Sequence, residues 1–145
     1  MKIERQRVKE QDKNERRHNF EPVESNLTEE QVKLEASRCL HCKNPKCVQG
    51  CPVNIQIPEF IQAIKDGDLN KAGEIIRQTS MLPSVCGRVC PQERQCEGNC
   101  ILGIKGEPVA IGALKDMSEI IQKQKCPKLN LQVKKLRLSV RGVLA

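Results

Sequence analysis

Nine cysteines constrain what this 145-residue chain can fold into more than any other feature of its sequence. Eight of them stand in two blocks, RCLHCKNPKCVQGCP at residues 38–52 and LPSVCGRVCPQERQCEGNC at residues 82–100. The chain has no Trp or Tyr and only two Phe, so a large apolar core is not available to it. Small domains with so little apolar volume are usually held together by disulfides or by metal. The sequence therefore predicts that the cysteines help to hold the fold.

The N-terminal sequence indicates the compartment in which these thiols act. MKIERQRVKEQDKNERRH is charged throughout and has no apolar stretch of the kind found in a secretory signal. No apolar run approaches the length of about 18 residues that a membrane span needs. We therefore expect a cytoplasmic protein with no membrane partner, whose reduced thiols are more often metal ligands than disulfides.

The net charge of +7 suggests nucleic-acid binding until it is divided along the chain. Residues 1–18 hold seven Lys and Arg against four Asp and Glu, and residues 116–145 hold seven against two. The cysteine-bearing middle is close to neutral and has almost no aromatic side chains to stack on bases. We expect no nucleic-acid partner.

Helix signals occupy the middle of the chain. Thr28 can cap a first helix, with Gln31 at the capping-box position, and Pro58 stands at the first position of a second helix. Asp68 can cap a third, which would form an antiparallel hairpin with the second, and a last helix follows Pro108. No alternating β-branched runs interrupt this pattern, so the predicted fold class is an all-α small domain.

Three segments are predicted along the chain. Residues 1–27 form a charged N-terminal arm, residues 28–115 the helical domain, and residues 116–145 a basic tail. Cys126 lies in that tail with no partner at a ligand spacing, so we interpret it as incidental.

Two ligand chemistries compete for the first block once haem is excluded. A c-type haem needs C-x-x-C-H, but His41 lies inside the Cys39–Cys42 pair. Structural zinc usually takes two short C-x-x-C knuckles, and only Cys39–Cys42 has that form. A zinc-stapled interaction module without redox activity stays open as the alternative, while four close thiols followed by four more favour iron–sulfur clusters. His41 is expected to be exposed or near a ligand sulfur rather than itself a ligand.

The spacing of the first block resembles that of bacterial ferredoxins. Those use C-x2-C-x2-C-x3-C-P, in which three cysteines hold one cluster and the fourth serves another. Here the run is C-x2-C-x4-C-x3-C-P, so we expect Cys51 to turn towards a second cluster. Each cluster then needs ligands from the second block, and the eight cysteines suit two 4Fe-4S clusters bridged by the two blocks.

Together the two blocks and the later stretch GEPVAIGAL resemble a known family. This is the N-terminal iron–sulfur domain of the glutamate synthase small subunit, also found in the flavoprotein subunit of NADH-dependent ferredoxin NADP oxidoreductase and in dihydropyrimidine dehydrogenase. The resemblance implies a helical domain with two 4Fe-4S clusters that passes electrons between a flavin and a partner's redox centre. It also implies flavoprotein domains, a glutamate synthase large subunit-like protein or a ferredoxin-type protein as partners.

The resemblance also implies a ligand set. Cys39, Cys42, Cys47 and Cys100 would hold the first cluster, and Cys51, Cys90 and Cys96 the second. The second cluster's fourth ligand in the family is a Glu or Gln, at the position that Lys115 occupies here. Cys86 is the candidate substitute.

In the family this domain leads into FAD- and NAD(P)H-binding domains, whose first strand ends in G-x-G-x-x-G. That motif is not found before Ala145, so we expect no FAD or NAD(P)H on this chain and no turnover by it alone. Reading the codons from Lys115 onward in a shifted frame permits R-Y-V and then V-A-I-V-G-S-G-x-x-G. The hypothesis is that residues 116–145 are an out-of-frame translation of a nucleotide-binding domain and that the chain is truncated.

Overall fold

The computed structural model describes residues 3–117, and the chain in that range is helical, with no β-strand among the residues described. This confirms the predicted all-α class. Its helices are α1 Glu29–Ser37, α2 Lys46–Gln49, α3 Ile57–Lys65, α4 Leu69–Arg77, α5 Pro83–Val89 and α6, which begins at residue 111 and is described as far as residue 117. Short 3-10 turns lie at Glu15–Arg17, Gln92–Arg94 and Ile101–Ile104.

The predicted helix starts are observed. The hydroxyl of Thr28 accepts the N–H of Gln31 at 3.3 Å, and the side-chain oxygen of Gln31 accepts the N–H of Thr28 at 3.0 Å. Asp68 accepts the N–H of Lys71 at 3.0 Å at the start of α4. Pro58 lies in the first turn of α3, one position later than predicted, because the helix begins at Ile57. These local bonds satisfy N–H groups that have no partner inside a helix.

The predicted hairpin joins α3 to α4. The turn between them passes through Gly67, whose φ of +82° is readily adopted by glycine and rarely by other residues. Helix α3 packs against both α4 and α1 and contributes Phe60, which is fully buried. The apolar core runs through α1, α3, α4 and α6 and includes Leu27, Val32, Ala36, Ile57, Ile61, Ile64, Ala72, Ile76, Val109, Ile111, Leu114 and Met117.

Residues 3–27 run across the surface of this core. Their backbone folds back on itself, so that the N–H of Gln11 bonds to the carbonyl of Val23 at 2.8 Å. Arg5 forms an ion pair with Glu97 at 2.6 Å, in the second cysteine block.

The predicted tail falls largely outside the described residues. Asp116 and Met117 continue α6 and are buried, while Cys126 and the rest of residues 118–145 are not described. The out-of-frame origin of this segment stays a prediction.

No helix in the described range is both long enough and apolar enough to cross a bilayer.

Candidate metal centre

The eight cysteines of the two blocks are all free thiols and all partly buried. Several of them pack against the edge of the apolar core, namely Cys39, Cys47, Cys51, Cys96 and Cys100. The thiols therefore lie between the core and the surface, where a bound group would be shielded on one side.

A first group of thiols combines three cysteines of the first block with one of the second. They line a cavity of about 60 Å³ whose other walls are largely apolar, and they are Cys39, Cys42, Cys47 and Cys100. The negative charges of Cys100 and Cys42 both act on Cys39. We call these four residues the first thiol group.

Backbone contact between the two blocks brings Cys100 to the others. Gly50, at the end of α2, lies so close to the second block that an added Cβ would be 2.7 Å from the carbonyl oxygen of Gln95. The Asn99 side chain would also be in contact with that Cβ. A glycine is needed here because only its backbone can approach this closely.

A second group of thiols surrounds Lys115. Cys51, at the end of the first block, acts electrostatically on both Cys90 and Cys96 of the second block. Burial is the largest cause that raises the pKa of Cys90, and the Cys86 thiol raises it further. Lys115, which is 7% exposed, acts on Cys90 and Cys96 with the opposite sign. We call Cys51, Cys86, Cys90 and Cys96 the second thiol group.

Burial is the largest cause of the raised thiol pKa values in both groups. It raises the pKa of Cys47 to about 11, with further contributions from the charges of Cys100 and Cys39. It raises the pKa of Cys96 to about 12, with a further contribution from the Glu97 carboxylate. The pKa of Cys39 is also raised, by burial first. The raised pKa values mean that these thiols hold their protons at neutral pH until a metal binds.

Backbone N–H groups act in the opposite direction. The N–H of His41 donates to the Cys39 sulfur, and that of Val48 donates to Cys47, which lowers both thiol pKa values. His41 adopts a positive φ of 48°, and its side chain is exposed, as the sequence predicts. Hydrogen bonds of this kind to sulfur are among the factors that set the potential of an iron–sulfur cluster.

The donor set fits an iron–sulfur cluster. Soft thiolates in groups of four are the ligands these clusters take, and binding would displace the thiol protons. Within residues 3–117, no three His, Cys, Asp or Glu side chains are arranged around a position that could hold a single metal ion.

A buried ionic network that the sequence did not predict supports the first block. Glu35 is fully buried, pairs with Arg38 at 2.6 Å and accepts the N–H groups of Ala110 at 2.8 Å and Gln6 at 2.6 Å. Arg38, directly before Cys39, also donates to the carbonyl of Pro108 at 3.1 Å. The network therefore fixes the residue that precedes the first ligand candidate.

A second buried carboxylate supports the second block. Glu97, next to Cys96, is 5% exposed and accepts the N–H of Gly112 at 3.1 Å as well as the Arg5 guanidinium. Two features of the sequence are connected with these buried carboxylates: the i,i+3 spacing of Glu35 and Arg38, and the position of Glu97 beside a cysteine. Neither one indicates burial.

Partly buried thiols at the edge of a helical core are a donor set that an iron–sulfur domain can use. The sequence model of one protein family, described as dihydropyrimidine dehydrogenase domain II, 4Fe-4S cluster, matches residues 16–127. The chain belongs to this family, which confirms the resemblance seen in the sequence. The matched range passes residue 115 and ends inside the segment predicted to be a tail.

Relatives of known name agree with this assignment. The NADPH-dependent glutamate synthase small chain of Halomonas elongata is 47% identical over 81 residues, which cover 56% of this chain and 17% of the relative. The Escherichia coli small chain is 42% identical over 100 residues, covering 69% of this chain and 21% of the relative. The NAD-dependent dihydropyrimidine dehydrogenase subunit PreT of Escherichia coli is 40% identical over 81 residues, covering 56% and 20%. The chain thus spans about a fifth of the length of these relatives.

Proposed function

We propose that this chain binds two 4Fe-4S clusters and passes electrons between a flavin and the redox centre of a partner protein. The first thiol group would hold one cluster and the second thiol group the other. The proposed ligands are Cys39, Cys42, Cys47 and Cys100 for the first cluster, and Cys51, Cys90 and Cys96 for the second.

The observation that carries this proposal is that each thiol group contains cysteines from both blocks. Cys100 belongs to the second block but lines one cavity with Cys39, Cys42 and Cys47 of the first. Cys51 belongs to the first block but, after burial and other groups, contributes to raising the pKa of Cys90 and Cys96 of the second. Two groups of this composition are what two clusters bridged by the blocks require.

A bound cluster would supply one-electron oxidation and reduction at a potential set by its surroundings. The chain's own contribution is to hold thiolates against a partly apolar wall and to direct backbone N–H groups at their sulfurs. Both features change the relative stability of the oxidised and reduced cluster, and therefore its reduction potential.

The names of the relatives suggest the partners. Relatives include NADPH-dependent glutamate synthase small chains and an NAD-dependent dihydropyrimidine dehydrogenase subunit. We propose that the flavin lies in FAD- and NAD(P)H-binding domains like those of the family. The other partner would be a glutamate synthase large subunit-like or ferredoxin-type protein.

Anaerobic purification with metal and sulfide analysis tests this function. The expected result is a brown protein with about eight iron and about eight sulfide per chain, and with an electron paramagnetic resonance (EPR) signal after reduction. A variant with Cys42→Ser and Cys96→Ser, one change in each thiol group, controls for adventitious iron. A colourless protein that contains zinc and no sulfide would refute the proposal.

A further inference from the structure

The second thiol group has a lysine where the family has its fourth ligand. Lys115 is 7% exposed, and its charge acts on Cys90 and Cys96. An ammonium group offers three hydrogen-bond donors and no lone pair, so it cannot coordinate iron. Another side chain has to complete this site.

Cys86 is placed to do so. Helix α5 carries Cys86 one turn before Cys90, and the backbone N–H of Cys90 bonds to the carbonyl of Cys86 at 3.3 Å. Cys90 is the C-cap residue of α5, and residues four apart lie on the same face of a helix, so the two side chains leave the backbone on one face. After burial, the Cys86 thiol is one of the causes that raise the pKa of Cys90.

The packing of α5 against α6 explains why Lys115 lies at the same site. A Cβ on Gly87 would be 3.0 Å from the Cβ of Asp116 and 3.1 Å from the carbonyl oxygen of Gly112. The Asp116 carboxylate pairs with Arg88 at 3.0 Å. The neighbouring acid is therefore already engaged by another cation, which leaves the charge of Lys115 to act on the thiols.

We infer that Cys86 supplies the fourth thiolate of the second cluster and that Lys115 is a buried positive charge beside that cluster. This inference rests on the proposed function, since it assumes that the second thiol group holds a cluster. A 4Fe-4S core of charge 2+ with four thiolates has a net charge of about −2, and the charge on a cluster is one of the factors that set its potential. Lys115 opposes that charge where a carboxylate would add to it.

Iron and sulfide analysis of four forms of the full chain tests the role of Cys86. The forms are the wild type, Cys86→Ser, the double variant Cys86→Ser with Lys115→Glu, and Cys126→Ser as the matched control. We expect about eight iron in the wild type and the control, about four in Cys86→Ser, and about eight in the double variant, because a Glu at position 115 restores a ligand.

Three results of the iron analysis would contradict either the inference about Cys86 or the proposed function. About eight iron in Cys86→Ser would overturn the inference, because the cluster would not need that thiolate. About four iron in both Cys86→Ser and the double variant would overturn it as well, by assigning Cys86 to the fold rather than to the iron. A wild type without iron would refute the proposed function itself.

A redox titration monitored by EPR tests the role of Lys115. Lys115→Met should shift the potential of the second cluster to more negative values, because losing a nearby positive charge disfavours the reduced state. Lys115→Arg, which keeps the charge, should leave that potential close to the wild-type value. Equal potentials in the Met and Arg variants would contradict the electrostatic role.

Discussion

Glu35 is a buried carboxylate that holds Arg38, the residue directly before the first cysteine of the first thiol group. It is fully buried and joins α1 to the N-terminal segment through Gln6, to the start of α6 through Ala110, and to Arg38 beside the first cysteine. Only 8% of the Arg38 side chain is exposed, so neither partner of this ion pair is well solvated. Removing one charge would leave the other buried and uncompensated.

Replacing Glu35 with Gln should therefore cost about 3 kcal/mol of the free energy of unfolding, because it breaks a buried pair. The measurement is urea unfolding of the reduced protein, followed by far-ultraviolet circular dichroism. Glu30→Gln is the matched control on the exposed face of the same helix, where the loss should be only a few tenths of a kcal/mol. Equal effects of the two substitutions would show that the network does not stabilise the fold.

Among the structural elements, the two cysteine blocks depend on each other through a backbone contact at Gly50. The φ of Gly50 is −78°, so its backbone conformation is open to any residue. What excludes a side chain is the second block, through the carbonyl oxygen of Gln95 at 2.7 Å from a built Cβ and through Asn99. The effect of a substitution here would be steric rather than conformational.

Gly50→Ala should push the two blocks apart, destabilise the fold by about 1–3 kcal/mol and lower the iron content of both thiol groups. Gly103→Ala is the control, because its added Cβ would meet nothing closer than Pro108 at 3.7 Å. Urea unfolding and iron analysis of both variants check this prediction. An iron content in Gly50→Ala equal to that in Gly103→Ala would mean that the contact is not needed for assembly.

The helices also show which structural features could be predicted from neighbouring residues in the sequence and which could not. The capping box at Thr28 and the cap at Asp68 are set by neighbours within a few residues, and the sequence predicted both. The Arg5–Glu97 ion pair joins residues 92 positions apart, and nothing local distinguishes these charges from solvated ones. Contacts of that kind are fixed by the packing of the whole domain. The spacing of the first block is also a local signal, and it predicts that Cys51 turns away from its neighbours. The assignment of the other ligands to two clusters comes from the family resemblance and stays a prediction.

At the scale of the whole domain, several of the thiols pack against the apolar core. The protonation state of the thiols therefore affects the stability of the fold. Burial raises the pKa of Cys47 to about 11 and that of Cys96 to about 12, from an ordinary value of 9.0. A folded-state pKa above the unfolded value means that the unfolded chain loses its protons first as the pH rises. The cluster-free protein is therefore stabilised below pH 9 and loses that contribution as the pH rises towards 11 and 12.

Removing bound iron with a chelator under reducing conditions should reveal this dependence. The free energy of unfolding of the stripped protein should fall as the pH rises from 9.0 towards about 11 and about 12, because deprotonation favours the unfolded chain. A variant with Cys47→Ala and Cys96→Ala should show a smaller fall over the same range. A stripped wild type whose stability rises with pH would contradict the burial of these thiols.

The central claim is that each cluster takes ligands from both cysteine blocks, so that residues 38–100 assemble as a unit. EPR spectra of four reduced single variants test it most directly. We expect Cys100→Ser to lose the same spectral component as Cys42→Ser, and Cys51→Ser to lose the same component as Cys96→Ser. If Cys51→Ser matched Cys42→Ser instead, and Cys100→Ser matched Cys96→Ser, each block would hold its own cluster and the claim would be wrong.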